Sequence, residues 1–177
     1  MARHEPDADF TAYMSGRMLW LRRVAYLLCR DWDRADDLAQ TAITRLYMRW
    51  PKVRDSVDNL DGYLRTILVN AYLTEQRSPW WKRISLHADH DEDAEQRQSG
   101  GPAFEFDADT SLDLRAALTA LAPRQRAVIV LRYYCDLSVE QTAQELGCMP
   151  STVKSQTARA LATLRRVLGS EFPIAAP

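Results

Sequence analysis

The chain has 177 residues, enough for one medium domain or two small ones. Hydrophobic residues make up 46% and charged residues 27%, and six glycines with eight prolines exclude a low-complexity chain or a turn-rich β protein. The formal net charge is only −1, so any nucleic-acid partner has to be sought in the distribution of charge and not in its total.

No apolar run approaches the length of a membrane span, and MARHEPDADF lacks the apolar core of a signal peptide. The expectation is a cytoplasmic protein with no membrane insertion. Phe10, Tyr13, Met14, Met18, Leu19, Leu21, Val24, Ala25 and Leu28 then follow the helical period for about five turns. Asp31 and Asp33 interrupt the pattern and offer caps. A second helix is expected over Arg34–Trp50, with Leu38, Ala42, Ile43, Leu46, Tyr47 and Trp50 on its inner face and Pro51 ending it. Its other face carries Asp36, Asp37, Gln40, Thr41, Thr44 and Arg45, a polar stripe suited to water or to a partner protein.

A third helix should begin near Asp58 or Asn59 and use Leu60, Leu64, Ile67, Leu68 and Ala71 as its inner face. Tyr63, Tyr72, Trp80 and Trp81 are interleaved there with Arg65, Arg77, Lys82 and Arg83, and Asn70 lies among them. Aromatic rings can stack on unpaired bases while cations track the backbone. The same aromatics could equally be core or domain-interface residues, and composition leaves both readings open.

Between Ala88 and Asp109 come eight acids against the single Arg97, with Ser99, Gly100, Gly101 and Pro102 among them. So little apolar surface cannot offset the entropy of ordering, which predicts a flexible acidic linker. Its charge cancels the basic excess of both flanks. The fold class expected is all-α: two small helical domains, over 8–84 and 110–170, joined by the linker 85–109.

Beyond the linker, Ser138 and Gln141 form a capping-box signature, Val139, Ala143 and Leu146 recur at helical spacing, and Gly147 stands where a left-handed residue is wanted. After Cys148-Met149-Pro150 a further helix should begin near Ser151 or Thr152, burying Val153, Ala160, Leu161, Leu164, Val167 and Leu168. This is a helix-turn-helix, whose second helix can enter a DNA major groove. That helix offers Ser151, Thr152, Lys154, Ser155, Gln156 and Arg159, with no acid from Ser151 to Ser170. Gln and Arg can read base edges, and Ser, Thr and Lys can hold phosphates. The bland alternative is a solvated helix in a bundle.

Cys29, Cys135 and Cys148 show no CxxC pairing, and His87 and His90 lie in a segment too polar for a rigid site, so reduced thiols and no metal are expected. No nucleophile–base pair or phosphate-cradling glycine loop stands out either, so no enzyme and no cofactor is expected.

Three stretches together resemble the extracytoplasmic-function sigma factors of bacterial RNA polymerase, in their SigE-like actinobacterial branch. DRADDLAQTAITRLYMRW (33–50) resembles the core-binding helix of region two, with Asp37, Leu38 and Gln40 in its signature. LDGYLRTILVNAYLTEQRSPWWKR (60–83) resembles the segment that melts and reads the minus-ten element, including Asn70. LTALAPRQRAVIVLRYYCDLSVEQTAQELGCMPSTVKSQTARALATLR (118–165) resembles region four, with its Leu-x-Pro-x-x-Arg opening and Thr-Val-Lys-Ser start to the recognition helix. Thr41 stands where many relatives have Glu, and Gln156 where many have Arg.

The resemblance implies a specificity subunit that directs core polymerase to promoters and helps open them. It implies docking on the β′ and β subunits through Asp37, Leu38, Gln40, Thr41 and Arg45. The minus-ten single strand would be taken by Tyr63, Arg65, Asn70, Tyr72, Arg77, Trp80 and Trp81, and the minus-thirty-five duplex by Ser151, Thr152, Lys154, Ser155, Gln156 and Arg159. It also implies an anti-sigma factor as partner. The alternative is a stand-alone helix-turn-helix regulator that binds its operator without polymerase.

Overall fold

A computed structural model describes residues 6–78 and 108–169. All regular structure among them is helical. The chain divides into two compact units, with the boundary between Thr74 and Glu75. The expected linker 85–109 lies outside the described residues, except that Ala108 and Asp109 already open a helix.

The first unit contains α1 (Pro6–Ser15), α2 (Met18–Cys29), α3 (Trp32–Val53) and all but the last three residues of α4 (Leu60–Arg77). The long N-terminal helix expected from periodicity is two helices, broken at Gly16–Arg17. The apolar period runs on through Met18 and Leu19, yet both are exposed. The break has a tertiary cause. Arg17 donates its Nε to the Asp61 carboxylate at the start of α4, and its guanidinium lies 4.1 Å from the Tyr13 ring centroid. Tyr13 donates its hydroxyl to the same carboxylate at 2.8 Å, so one acidic residue gathers the corner between α1 and α2 onto α4.

Asp31 caps α3 by accepting the Arg34 N–H at 2.8 Å, as expected. The helix then runs past Pro51 to Val53, one turn further than a proline stop predicts. Pro51 falls in the last turn, where its missing N–H costs a single intrahelical bond. Leu21, Val24 and Leu28 of α2 and Ala35, Leu38, Ala42 and Leu46 of α3 are fully buried where the two helices pack, each leucine contributing about 2 kcal/mol. Leu64, Leu68, Val69 and Tyr72 supply the face of α4. Phe10 and Tyr13 of α1 pack edge-on or tilted against Trp50, with ring centroids 5.2 and 5.1 Å away. Asn59 starts α4 by accepting the Gly62 N–H at 2.8 Å.

The second unit is built around one helix. α5 (Ala108–Thr119), α6 (Pro123–Ile129) and α7 (Val139–Leu146) all pack on α8 (Pro150–Leu168), which buries Val153, Thr157, Ala160, Leu161 and Leu164. Val167, expected in that stripe, is 42% exposed, and Leu168 is only half-buried. The Ser138–Gln141 capping box forms with both bonds in place, at 2.8 and 3.0 Å. Gly147 takes φ +59°, and Cys148 N–H closes the turn on the Ala143 carbonyl at 3.0 Å. Pro150 is itself the first residue of α8, one place earlier than expected, because a proline needs no N–H there.

Two features go beyond what the sequence pattern predicts. Val130–Tyr134 forms a π turn, closed by Cys135 N–H on the Val130 carbonyl at 3.0 Å. Arg126 is buried and works as a helix cap. Its Nε donates to the Leu118 carbonyl at 2.7 Å and its Nη2 to the Leu121 carbonyl at 2.8 Å, satisfying the open C-terminal end of α5. The Leu-x-Pro-x-x-Arg run is therefore an architectural motif: Leu121 is buried, Pro123 starts α6, and Arg126 reaches back.

Removing that cap takes a charged donor from the Leu118 and Leu121 carbonyls, of which the first keeps the Leu121 N–H at 3.3 Å. Arg126→Ala is expected to destabilise the second unit by about 3 kcal/mol in urea unfolding, and Arg126→Lys, without a planar fork, recovers little of it. Asp61 gives a pH signature. Burial alone would raise its pKa, but the bonds from Arg17 and Tyr13 and the nearby Arg17 and Arg65 charges outweigh it and hold the carboxyl below the ordinary value. A depressed carboxylate stabilises the fold above the unfolded pKa, about 4, and that contribution fades as pH falls through the folded value. Asp61→Asn is thus expected to lower thermal stability at pH 7 and to lose less than the parent chain on acidification, measured by melting temperature from pH 7 to pH 3.

Candidate functional site

Three helices turn a chemically distinct face outward. On α3 the buried arc forces Asp37, Gln40, Thr41, Thr44 and Arg45 to the opposite side, where they line a shallow depression of about 430 Å³. Four of the five residues that the sequence marks as a docking surface come together there. Leu38, the fifth, does not: its side chain is 0% exposed and holds α3 on its neighbours, so it can position the stripe but cannot touch a partner. Thr44 completes the depression. Met48, one turn beyond, is 77% exposed on the same face. Sequence reasoning misses an apolar side chain so open beside a polar groove, although its spacing of four from Thr44 points to it.

On α4 the angular arithmetic sorts the candidates. Tyr63, Thr66, Asn70, Thr74 and Arg77 fall within one quarter of the helix circumference and are all exposed or half-buried. Thr66 and Thr74 donate their hydroxyls to the Gly62 and Asn70 carbonyls at 2.9 and 2.7 Å, leaving oxygen lone pairs facing outward to accept. Neither threonine stands out by residue type; their spacing of four on either side of Asn70 marks them. Tyr63 accepts a hydrogen bond from Arg49 Nη1 at 3.0 Å. Two expected members are corrected. Tyr72 is 0% and Arg65 8% exposed, so both belong to the core of the first unit and neither is available to a base or a phosphate. Trp80 and Trp81 lie outside the described residues.

On α8 the outer face carries Ser151, Ser155 and Arg159 in line, flanked by Lys154 and Ala158 on one side and by half-buried Thr152 and Gln156 on the other. The six expected residues spread over slightly more than half the circumference, with Ser151, Lys154, Ser155 and Arg159 exposed and Thr152 and Gln156 half-buried, Gln156 lying nearest the Val153, Thr157 and Ala160 stripe. Ser155 donates its hydroxyl to the Thr152 carbonyl at 3.0 Å. The helix has no acid in its first turn and ends with Arg165 and Arg166. Positive charge with hydrogen-bonding groups along a rigid cylinder is the chemistry that a duplex groove accepts.

Burial pushes the Cys29 thiol up to about 11, so it stays protonated at neutral pH, and its Sγ donates to the Asp31 carbonyl at 3.2 Å. Among the described residues no cluster of His, Cys, Asp or Glu could hold a metal ion, and no helix is long and apolar enough to cross a membrane.

Comparison with known proteins converges on one family. Residues 17–82 match the family Sigma-70 region 2, and residues 111–164 match Sigma-70, region 4. The RNA polymerase sigma-E factor of Streptomyces coelicolor is 39% identical over 160 residues, covering 90% of this chain and 86% of that protein. The ECF RNA polymerase sigma factor SigL of Mycobacterium tuberculosis is 30% identical, covering 85% and 82%. Among solved structures, the sigma factor RpoE in complex with the anti-sigma factor NepR from Bartonella quintana superposes with a TM-score of 0.72 at 27% identity, covering 93% of this chain and 99% of that one. With regions 2 and 4 matched in order, and with such relatives spanning most of its length, the chain belongs to the extracytoplasmic-function sigma factors of RNA polymerase.

Proposed function

We propose that the three outward faces divide the work of a sigma factor: α3 docks on core RNA polymerase, α4 captures single-stranded minus-ten DNA, and α8 reads the minus-thirty-five duplex. A sigma factor binds core enzyme, directs it to promoters and helps open them. The observation that carries the residue-level reading is that α8 holds no acid and exposes Ser151, Lys154, Ser155 and Arg159 away from its buried stripe.

In this reading Asp37, Gln40, Thr41, Thr44 and Arg45 bind the β′ subunit of core enzyme around their shallow depression, with Met48 as an apolar anchor. Tyr63, Thr66, Asn70, Thr74 and Arg77 take the non-template strand, joined by Trp80 and Trp81. Unpairing a base costs a few kcal/mol, and stacking on an aromatic ring returns about 1–3 kcal/mol per base. Ser151, Thr152, Lys154, Ser155, Gln156 and Arg159 contact the duplex. The modules are 8–84 and 110–170, with the acidic residues 85–109 as spacer, so that two weak DNA contacts add only when polymerase sets their separation. The protein is a non-catalytic initiation factor acting in the cytoplasm. An anti-sigma factor is its natural antagonist, by analogy with the complexed relative.

Run-off transcription with purified core enzyme over a promoter library tests the reading as a whole. Tight binding to one duplex without core would instead make the chain a stand-alone regulator. Lys154→Ala and Arg159→Ala are each expected to reduce promoter-dependent transcription roughly tenfold, and to lower the salt slope of DNA binding by about one where a phosphate contact is lost, with core binding intact in a pull-down. The converse holds on α3: Gln40→Ala combined with Met48→Ala is expected to weaken core binding by about 1–2 kcal/mol. An unchanged core affinity in that double variant would overturn the assignment of α3.

A further inference from the structure

Arg49 stands on α3 between Leu46 and Trp50, both buried, so its backbone is fixed by the core while its side chain is exposed. From there its Nη1 reaches across to α4 and donates to the Tyr63 hydroxyl at 3.0 Å. Tyr63 is the one aromatic ring on the outer stripe of α4 among the described residues, and it lies at the opposite end of that stripe from Arg77. Fourteen residues separate the two, about 21 Å along the helix axis. A half-buried tyrosine held only at Cβ can swing about two torsions, and freezing that motion when a base stacks costs binding free energy. A ring also tied at its hydroxyl has less motion to lose.

We propose that Arg49 is a positioning residue for strand capture, holding the Tyr63 ring in place as the stacking platform at one end of the α4 stripe. The proposal rests on the reading of α4 as the single-strand surface. An exposed hydrogen bond of this kind contributes little to folding. Loss of Arg49 therefore falls on the ring and leaves the core as it was. The bond also ties the helix that docks on polymerase to the helix that receives the strand, so the platform is set before DNA arrives.

The test is a double-mutant cycle in the reconstituted holoenzyme. The promoter is one returned by run-off selection, carrying 2-aminopurine in the non-template strand of its minus-ten element. Arg49→Ala is expected to slow the fluorescence rise of opening about fivefold, with unchanged melting temperature and core binding. Tyr63→Phe, which keeps the ring and removes the acceptor, should give the same loss, and the double variant should be no slower than either single one. Additive losses, or a salt slope lowered by about one in Arg49→Ala, would mean that Arg49 meets a phosphate directly, and would overturn the proposal. So would an opening rate that Arg49→Ala leaves unchanged while Asn70→Ala reduces it. If Asn70→Ala and Thr74→Ala leave opening untouched, the α4 reading itself fails, and the positioning role with it.

Discussion

Seating one arc of a helix in a core dictates what the opposite arc can touch, and this constraint produces the candidate functional faces of α3 and α8. On α3, burying Ala35, Leu38, Ala42 and Leu46 leaves Asp37, Thr41, Thr44 and Met48 nowhere to go but outward. A rotation by one residue would carry Asp37 toward the interior, at a cost of several kcal/mol for an unpaired charge. The same logic holds on α8, where Val153, Thr157 and Ala160 aim Ser151, Ser155 and Arg159 at solvent. The candidate docking chemistry is thus aimed by apolar packing, and the two cannot drift apart without unfolding a unit.

Features governed by neighbours along the chain are legible in the residues themselves. The Ser138–Gln141 box, Gly147 at φ +59° and the Asp31 cap act within a turn of the chain, and they fall where the residues indicate. The opposed faces of α3 and α8 are equally plain, since the 3.6 period is strong in both. The break at Gly16–Arg17 is not legible, because Met18 and Leu19 keep the apolar rhythm while the cause, Asp61, lies 44 residues away. The π turn at Val130–Tyr134 likewise has no local signature that separates it from α-helix.

The aromatic-basic segment of α4 shows a different failure. Composition groups Tyr63, Arg65, Asn70 and Tyr72 into one surface, but spacing separates them. Seven residues carry Asn70 almost back over Tyr63, whereas the nine to Tyr72 make two and a half turns and place it on the far side. Arg65, two residues on, also points away. Their burial at 0% and 8% follows from that arithmetic, and residue type alone cannot supply it.

Arginine shows why counting charge misjudges a DNA-binding surface. Arg126 caps a helix inside the second unit, Arg65 is buried in the first, and Arg17, Arg22 and Arg54 are ion-paired with Asp61, Asp36 and with Asp9 and Asp55. None of these adds much to the field that a phosphate meets. What remains exposed on the two candidate DNA faces among the described residues is Arg77 on α4 and Lys154, Arg159, Arg165 and Arg166 on α8. Counterion release scales with the phosphates actually neutralised, so the four cations of α8 yield modest affinity for that face alone. Modest affinity is an advantage for a subunit that should read a promoter only when a larger enzyme holds it: binding then depends on effective concentration, and each unit contributes what it cannot achieve in isolation.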